Sequence, residues 1–366
     1  MAIRIAAVGD IMLAHPVTEN PLHAILRDAD VGFANLEVPL SSRGEPADKP
    51  IAFRSDPGLA SELGCLGLDV VSFANNHSLD YGISAMLDTI AAVEEAGVAV
   101  IGAGSNLDQA MTPRVIKCGN ARLAFLAFCS TLPVGSPATA ARPGVAPIRI
   151  QASILADAPI LEEQPGTSPY IKTEALTEDV EHVRAAIGQA RRSADGVVVS
   201  IHWGVPPGWA APFQGVLTDY QQPLGHALVD AGADLVLGHH PHTLHGVEIY
   251  RGKLIAYSLG HFVFHSLAEG KPMVLQRPGP PYRLQYVRPP EVSESAVFLF
   301  ETDDYSRWRA EVIPCALNRE GECEPVEGAR QQTILNRFTR HCEDLGTAVE
   351  VRQGRGVIEG NHGEER

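Results

Sequence analysis

The sequence predicts a mixed α/β fold built on two sheets rather than on one purely parallel, doubly wound sheet. Two patterns predict it. Short apolar runs that break off into polar residues alternate with amphipathic helical stretches, and paired hairpin patterns appear late in the chain. A third observation sets the scale: 366 residues at 45% hydrophobic, with a mean hydropathy of −0.01, can bury a sizeable core and exclude global disorder.

The elements follow in order. Ile3 to Val8 is an apolar strand that empties into Gly9-Asp10. Val31 to Leu36 and Asp69 to Phe73 repeat that pattern. Ala85 to Ala96 carries Met86, Leu87, Ile90 and Val93 at helical spacing, stops at Gly97 and leads into the strand Val98 to Ile101. Ala121 to Phe128 is a further strand. Glu178 to Arg192 reads as an amphipathic helix before the buried strand Gly196 to Ile201. Asp219 to Ala231 is a helix stopped by Gly232 before the strand Asp234 to Leu237. Val247 to Tyr250 and Leu254 to Tyr257 flank Arg251-Gly252-Lys253 as a hairpin, and Ala296 to Glu301 with Trp308 to Ile313 form a second.

Two stretches break the rhythm and read as insertions: about 131–170, rich in Ala, Pro and Gly, and about 266–292, rich in Pro with Lys271, Arg277, Arg283 and Arg288. Long loops of this kind are usually functional. The expected organisation is one domain over 1–325, a C-terminal helix over 326–352, and a flexible Gly- and charge-rich tail over 353–366.

With 29 Lys+Arg against 44 Asp+Glu the formal charge is −15, and the pI is near 5.4. That balance argues against nucleic acid as the main partner, because no positive field is present to displace counterions. No apolar run approaches the ~18–20 residues of a membrane span, and the first ten residues read as a strand rather than a signal peptide. The expectation is a soluble cytoplasmic protein without a membrane partner. The six cysteines form no Cys-x-x-Cys pair and read as reduced thiols, with a Cys315–Cys323 pairing left open. Neither a full dinucleotide fingerprint, a Walker sequence nor Gly-x-Ser-x-Gly is present.

The chemistry concentrates in histidines. Seven of the 14 lie between His226 and His265, and His239-His240-Pro241-His242 follows a buried strand and Gly238. Neutral imidazole held at a strand end is a common ligand for Zn²⁺, Fe and Mn²⁺. Other strand ends emit comparable groups: Asp10, Asn35 with Glu37 on one side of the chain, Asn75-Asn76-His77, and His202-Trp203-Gly204. Open α/β folds gather such ends at one rim. Oxygen and nitrogen donors without thiolates suit two divalent ions, Mn²⁺, Fe²⁺ or Zn²⁺, and do not suit a structural zinc.

The ordered motifs Gly9-Asp10-Ile11-Met12, Asn35-Leu36-Glu37, Asn75-Asn76-His77 with Asp80, His202-Trp203-Gly204, Gly238-His239-His240-Pro241-His242 and Tyr257-Ser258-Leu259-Gly260 resemble the CapA family. Its members are capsule or poly-γ-glutamate synthesis proteins of the calcineurin-like metallophosphoesterase superfamily. The resemblance runs from about residue 3 to 265. It implies a four-layer α/β/β/α sandwich of the metallo-dependent phosphatase type with two metals between the strand ends. One ion would take Asp10 and His242, with Glu37 bridging to a second completed by Asn76, His202 and His240. The resemblance further implies a bridging hydroxide as nucleophile and His77 as general acid, with Asp80 either orienting that ring or capping a helix.

Three departures stand out. Met12 occupies the place where the wider superfamily has a histidine, and His15 is a possible substitute. His261 replaces the family asparagine in Leu259-Gly260-His261-Phe262, where it adds a ligand, alters a hydrogen bond or retunes specificity. CapA proteins are typically tethered or exported, and no anchor is visible here. Asn75, His239, His261 and Trp203, with Arg277 and Arg283 as an anion clamp, form the expected substrate-binding set. Trp203, together with Trp209 and Phe213, either lines a pocket above His202 or packs in the core.

The functional expectation is a dinuclear-metal hydrolase acting on an amide or γ-glutamyl-type bond, or on a phosphoester, in a small anionic substrate. The rivals are a non-catalytic accessory that binds a glutamate polymer, and a natural-product tailoring enzyme catalysing a cyclisation or elimination. Oligomeric state is left open.

Overall fold

The computed structural model describes residues 2–359 apart from 50, 157, 165, 168, 205–215, 269–289 and 306. Two large sheets dominate. In the first, the strands run in the order Glu350–Arg352, Arg355–Glu359, Arg309–Leu317, Glu294–Thr302, Ile3–Met12, Val31–Leu36, Val70–Ser72 and Ala99–Ile101. His261–Phe264 also pairs with Ile3–Met12, and Cys323–Pro325 with Arg309–Leu317. The second runs Val247–Tyr250, Lys253–Ala256, Leu235–His239, Gly196–His202, Ala121–Cys129 and Arg114–Cys118.

The parallel strands carry the site. In the first sheet Ile3–Met12, Val31–Leu36, Val70–Ser72 and Ala99–Ile101 all run parallel. In the second, Ala121–Cys129, Gly196–His202, Leu235–His239 and Lys253–Ala256 do the same. Strands buried on both faces read as continuous apolar runs rather than alternating ones, as Val197-Val198-Val199 shows.

Three apolar cores fix the layers. The first lies between the sheets and joins Ala7, Phe33, Val70 and Phe298 of one to Phe125, Val198, Leu237 and Ala256 of the other. A second packs the outer face of the first sheet against Leu22, Leu26, Leu63, Met86 and Val93 of the helices Pro21–Arg27, Ala60–Cys65 and Gly82–Glu95. The third packs Ala124, Val199 and Val236 against Val183, Ile187, Leu224 and Leu228 of the helices Thr177–Arg191 and Gln221–Asp230. The mixed two-sheet α/β expectation holds.

Four sequence expectations need correction. The first strand runs on to Met12, so Asp10 lies within it. The insertion at 131–170 contains a helix, Ala158–Glu163, and the first strand of a two-stranded ribbon, Ile150–Leu155 against Tyr170–Ala175. Most of the ribbon's side chains are exposed, so neither strand carries the buried face that makes a pattern legible. The C-terminal helix is confined to Gly328–Glu343, where Ile334, Phe338 and Cys342 close the inter-sheet core. The expected flexible tail includes a strand. Gln353 and Gly354 both have positive φ (49° and 75°), a two-residue hairpin turn that folds Arg355–Glu359 back on Glu350–Arg352. That strand then pairs with Arg309–Leu317, and Ile358 is fully buried. Most of the second insertion lies outside the described residues. Among the described residues no helix is long and apolar enough to cross a membrane.

Candidate metal centre

Both sheets point the C-terminal ends of their parallel strands at one place. Within each sheet the neighbouring chain passes close enough there to dictate glycine at one position. A Cβ on Gly9 would lie 2.0 Å from the Gly260 carbonyl oxygen, and one on Gly238 would lie 2.2 Å from that of Tyr257. Asp10 sits directly after the first, with its N–H bonded to Gly260 O at 2.9 Å. The His239-His240-Pro241-His242 run follows the second. His240 and His242 both adopt positive φ, 95° and 57°, a region that β-carbon-bearing residues avoid unless their surroundings impose it.

Asp10, Glu37, His202, His239 and His261 are buried, and Asn76, His240 and His242 are partly exposed on the open side. The first carboxylate meets two imidazoles: Asp10 Oδ1 lies 3.2 Å from His239 Nδ1, and Oδ2 lies 3.2 Å from His242 Nδ1. Glu37 is the hub. Its Oε1 lies 3.7 Å from His242 Nε2 and 3.8 Å from both His202 Nε2 and His77 Nε2. His202 Nε2 is in turn 2.8 Å from Asn76 Oδ1 and 3.2 Å from His240 Nδ1. Donor atoms of Glu37, His202 and His240 lie within 4.8 Å of one another, as do those of Asp10, His242 and His261.

Glu37 Oε1 is buried without a hydrogen-bond partner among the described residues, whereas Asp10 Oδ2 is faced by His242 Nδ1 at 3.2 Å. An uncompensated buried carboxylate oxygen is costly, and a divalent cation is the partner that this donor set fits. The protonation balance agrees. Burial alone would raise the Asp10 carboxyl, but His239 and His242 overcome it and hold the group well below the usual range. Burial and the neighbouring Asp10 charge push Glu37 well above it. Two carboxylates forced apart in this way share a site that lacks positive charge. Burial depresses His202 well below the ordinary imidazole value, and burial with His242 takes His240 down to about 3. Both rings are neutral at pH 7, the form that ligates metal.

Beside the cluster stands a hydrogen-bonded relay. His77 Nδ1 lies 2.7 Å from Asp80 Oδ2, so Asp80 orients the ring rather than capping a helix, and Nε2 faces Glu37. Lys49 Nζ donates to Asp80 Oδ1 at 2.5 Å and to the Asn76 carbonyl at 2.8 Å. Burial lowers the His77 ring to about 4, with Asp80 opposing and Lys49 adding to the shift. Sequence reasoning missed Lys49, which comes from an irregular segment with no periodicity to mark it. Asn35 is also a working part of the centre: its Nδ2 donates to Asp10 Oδ1 at 2.9 Å.

The structure redistributes the expected substrate-binding set. Asn75 is fully buried, donates to Asn35 Oδ1 and Leu36 O at 3.1 and 2.7 Å, and accepts from His77 N at 3.1 Å. It is a brace, because its amide is consumed by protein partners. His239 turns inward onto Asp10 rather than outward to the cleft. Trp203 is fully buried, stacks on Tyr257 at 5.3 Å and donates Nε1–H to its carbonyl at 2.9 Å, so it packs in the core. His261 lies beside Asp10. His15 groups with other residues: it stacks at 3.7 Å on His265, and its donor atom falls with those of His265 and Glu322. Arg277 and Arg283, with Lys271, Arg288, Trp209 and Phe213, lie outside the described residues.

The fold and this cluster define a two-sheet α/β protein with a buried histidine–carboxylate centre suited to divalent cations. Residues 4–266 match the family described as bacterial capsule synthesis protein PGA_cap, and the chain belongs to that family, the CapA group of the metallophosphoesterase-like superfamily. It is similar to the PGA biosynthesis protein CapA of Bacillus subtilis, 28% identical over 97% of this chain and 82% of that one. It is also 28% identical to the uncharacterized protein y4sH of Sinorhizobium fredii, over 71% of this chain and 66% of the relative. A probable polyglutamine synthesis accessory protein of Mycobacterium tuberculosis is 33% identical over 64% of this chain and 55% of its own length. The chain thus spans just under two thirds of the Sinorhizobium relative and about half of the mycobacterial one.

Proposed function

We propose that this chain is a dinuclear, divalent-metal-dependent hydrolase that cleaves an amide or γ-glutamyl-type bond, or a phosphoester, in a small anionic substrate. The observation that carries it is Glu37 Oε1, buried without a hydrogen-bond partner among the described residues and equidistant from imidazoles of three separate chain segments. On this reading Asp10 and His242 would hold one cation, Asn76, His202 and His240 the other, and Glu37 would serve both. The layer order supports a four-layer α/β/β/α sandwich of the metallo-dependent phosphatase type. The ions suited to these oxygen and nitrogen donors are Mn²⁺, Zn²⁺ or Fe²⁺.

When bound, such a pair supplies Lewis acidity and lowers the pKa of water. The protein's own groups do the rest. Asp80 holds His77 by Nδ1 and leaves Nε2 to exchange a proton with the reacting group, while Lys49 fixes Asp80. Burial keeps the resting ring neutral; a substrate anion beside it favours the imidazolium, which makes Nε2 the proton donor to a leaving group.

The relatives' names favour a second reading, an accessory that binds glutamate polymer without turning it over. Elemental analysis of the purified chain, followed by a screen of phosphoesters and γ-glutamyl amides, separates the two. Bound divalent metal with turnover that disappears in His202→Ala is the expected result. Poly-γ-glutamate binding with no turnover of any substrate by the metal-loaded protein would replace the hydrolase reading with the accessory one.

A further inference from the structure

On the dinuclear reading the two cations are unequally served. Glu37, Asn76, His202 and His240 give one of them four protein donors, whereas Asp10, His242 and the shared Glu37 give the other three. We propose that His261 is the missing fourth ligand, which evens the two shells; the proposal rests on that dinuclear reading.

His261 begins the short strand His261–Phe264, which runs parallel to Ile3–Met12 with its Cα in register with that of Asp10. The pairing slips between Asp10 and Ile11, a local irregularity of the kind that re-aims side chains next to sites. Gly9 permits the approach, since any side chain there would meet Leu259 and Gly260. The imidazole is 1% exposed. Its ring stacks on that of His242, with centroids 4.8 Å apart and planes 15° from parallel. Phe264 closes on both rings, at 4.5 Å from His261 and 5.3 Å from His242.

The ring's other nitrogen is spoken for. His261 Nδ1 lies 3.2 Å from the Val292 carbonyl, a group that can only accept, so Nδ1 carries the proton and Nε2 keeps its lone pair. A histidine ligand whose far N–H is tied to a carbonyl is the usual way in which a protein fixes tautomer and aim. The backbone is held as well: Ser295 Oγ donates to the His261 carbonyl, and Cys323 Sγ approaches it at 3.4 Å. The donor atoms of Asp10, His242 and His261 lie within 4.8 Å of one another. A small divalent ion, which takes bonds of about 2.0–2.2 Å, would need these donors to draw closer together.

The test is metal stoichiometry and affinity, which do not depend on knowing the substrate. The full chain is stripped with chelator and titrated with Mn²⁺ and Zn²⁺ by calorimetry, with elemental analysis of the loaded protein and circular dichroism as a check on folding. Unaltered protein is expected to bind two ions. His261→Asn should keep one and bind the second at least ~10-fold more weakly, the lower end of what losing even a supporting group costs. His261→Gln, closer in volume, should behave like His261→Asn. His261→Cys restores a ligand atom and should recover much of the affinity, which a role in packing alone would not. Two ions of unchanged affinity in folded His261→Asn and His261→Gln would overturn this assignment and leave the dinuclear reading intact. No ion bound by unaltered protein would overturn the reading beneath it.

Discussion

Two clusters of histidine and carboxylate occur among the described residues, and their contrast is instructive. His15, His265 and Glu322 bring donor atoms within 4.8 Å of one another, the same spacing found around Asp10 and Glu37. Ligand types and distance do not separate the two. Satisfaction does. His265 Nδ1 accepts from Ala14 N–H at 2.8 Å, its Nε2 meets Glu322 Oε1 at 3.2 Å, and Glu322 Oε2 accepts from Thr18 N–H at 3.1 Å. His15 Nδ1 contacts Pro16 O at 3.0 Å. That cluster is a closed hydrogen-bond set tying the loop after the first strand to Glu322. The centre around Glu37 leaves its buried Oε1 without such a partner among the described residues and holds two histidines at positive φ. Polar groups in a core are either paired or poised for a ligand.

Substitutions on the two sides should therefore fail differently. The largest effect belongs to Glu37→Gln, which removes the shared charge: divalent-metal affinity measured by calorimetry should fall about 10²-fold or more, since even a supporting group is worth 10–100-fold. Unchanged affinity would erase the distinction between the clusters. Glu322→Ala should do the reverse. It removes the carboxylate that faces His265 Nε2 and accepts from Thr18 N–H and costs about 1–3 kcal/mol in denaturant unfolding, with metal affinity unchanged. A loss of bound metal in this variant would make the second cluster a metal site as well.

A third prediction concerns pH. His77 and His240 are neutral in the folded protein, with values near 4 and 3 against an ordinary 6.5. Between those values and 6.5 the unfolded chain binds more protons, so stability rises with pH in that window. The contribution is complete above about 6.5 and is lost as pH falls towards 4 and then 3. The metal-free protein should show a falling thermal midpoint over that range, and a flat profile would contradict the neutral-ring assignment.

Much of this was legible in the sequence because apolar runs ending in Gly-Asp, Asn-Asn-His or His-x-Gly mark parallel strands and their outlets together. Asp10, Glu37, Asn76, His202, His240 and His242 converge because their strands do. What stayed hidden depends on tertiary distance. Asn75 and Trp203 look like cleft residues until their hydrogen bonds to Leu36 and Tyr257 are seen. Lys49 enters from a segment with no pattern. The strand Arg355–Glu359 was obscured by a Gly- and charge-rich composition, although Gln353-Gly354 forms a turn of the two-residue hairpin kind.

Anomalous diffraction from crystals of the full chain grown with Zn²⁺ or Mn²⁺ tests the central claim most directly, because it views both histidine clusters at once. The account predicts two peaks about 3.5–4 Å apart, flanking the Glu37 carboxylate, and none between His15, His265 and Glu322. Density confined to the latter group, or absent from both, would contradict it.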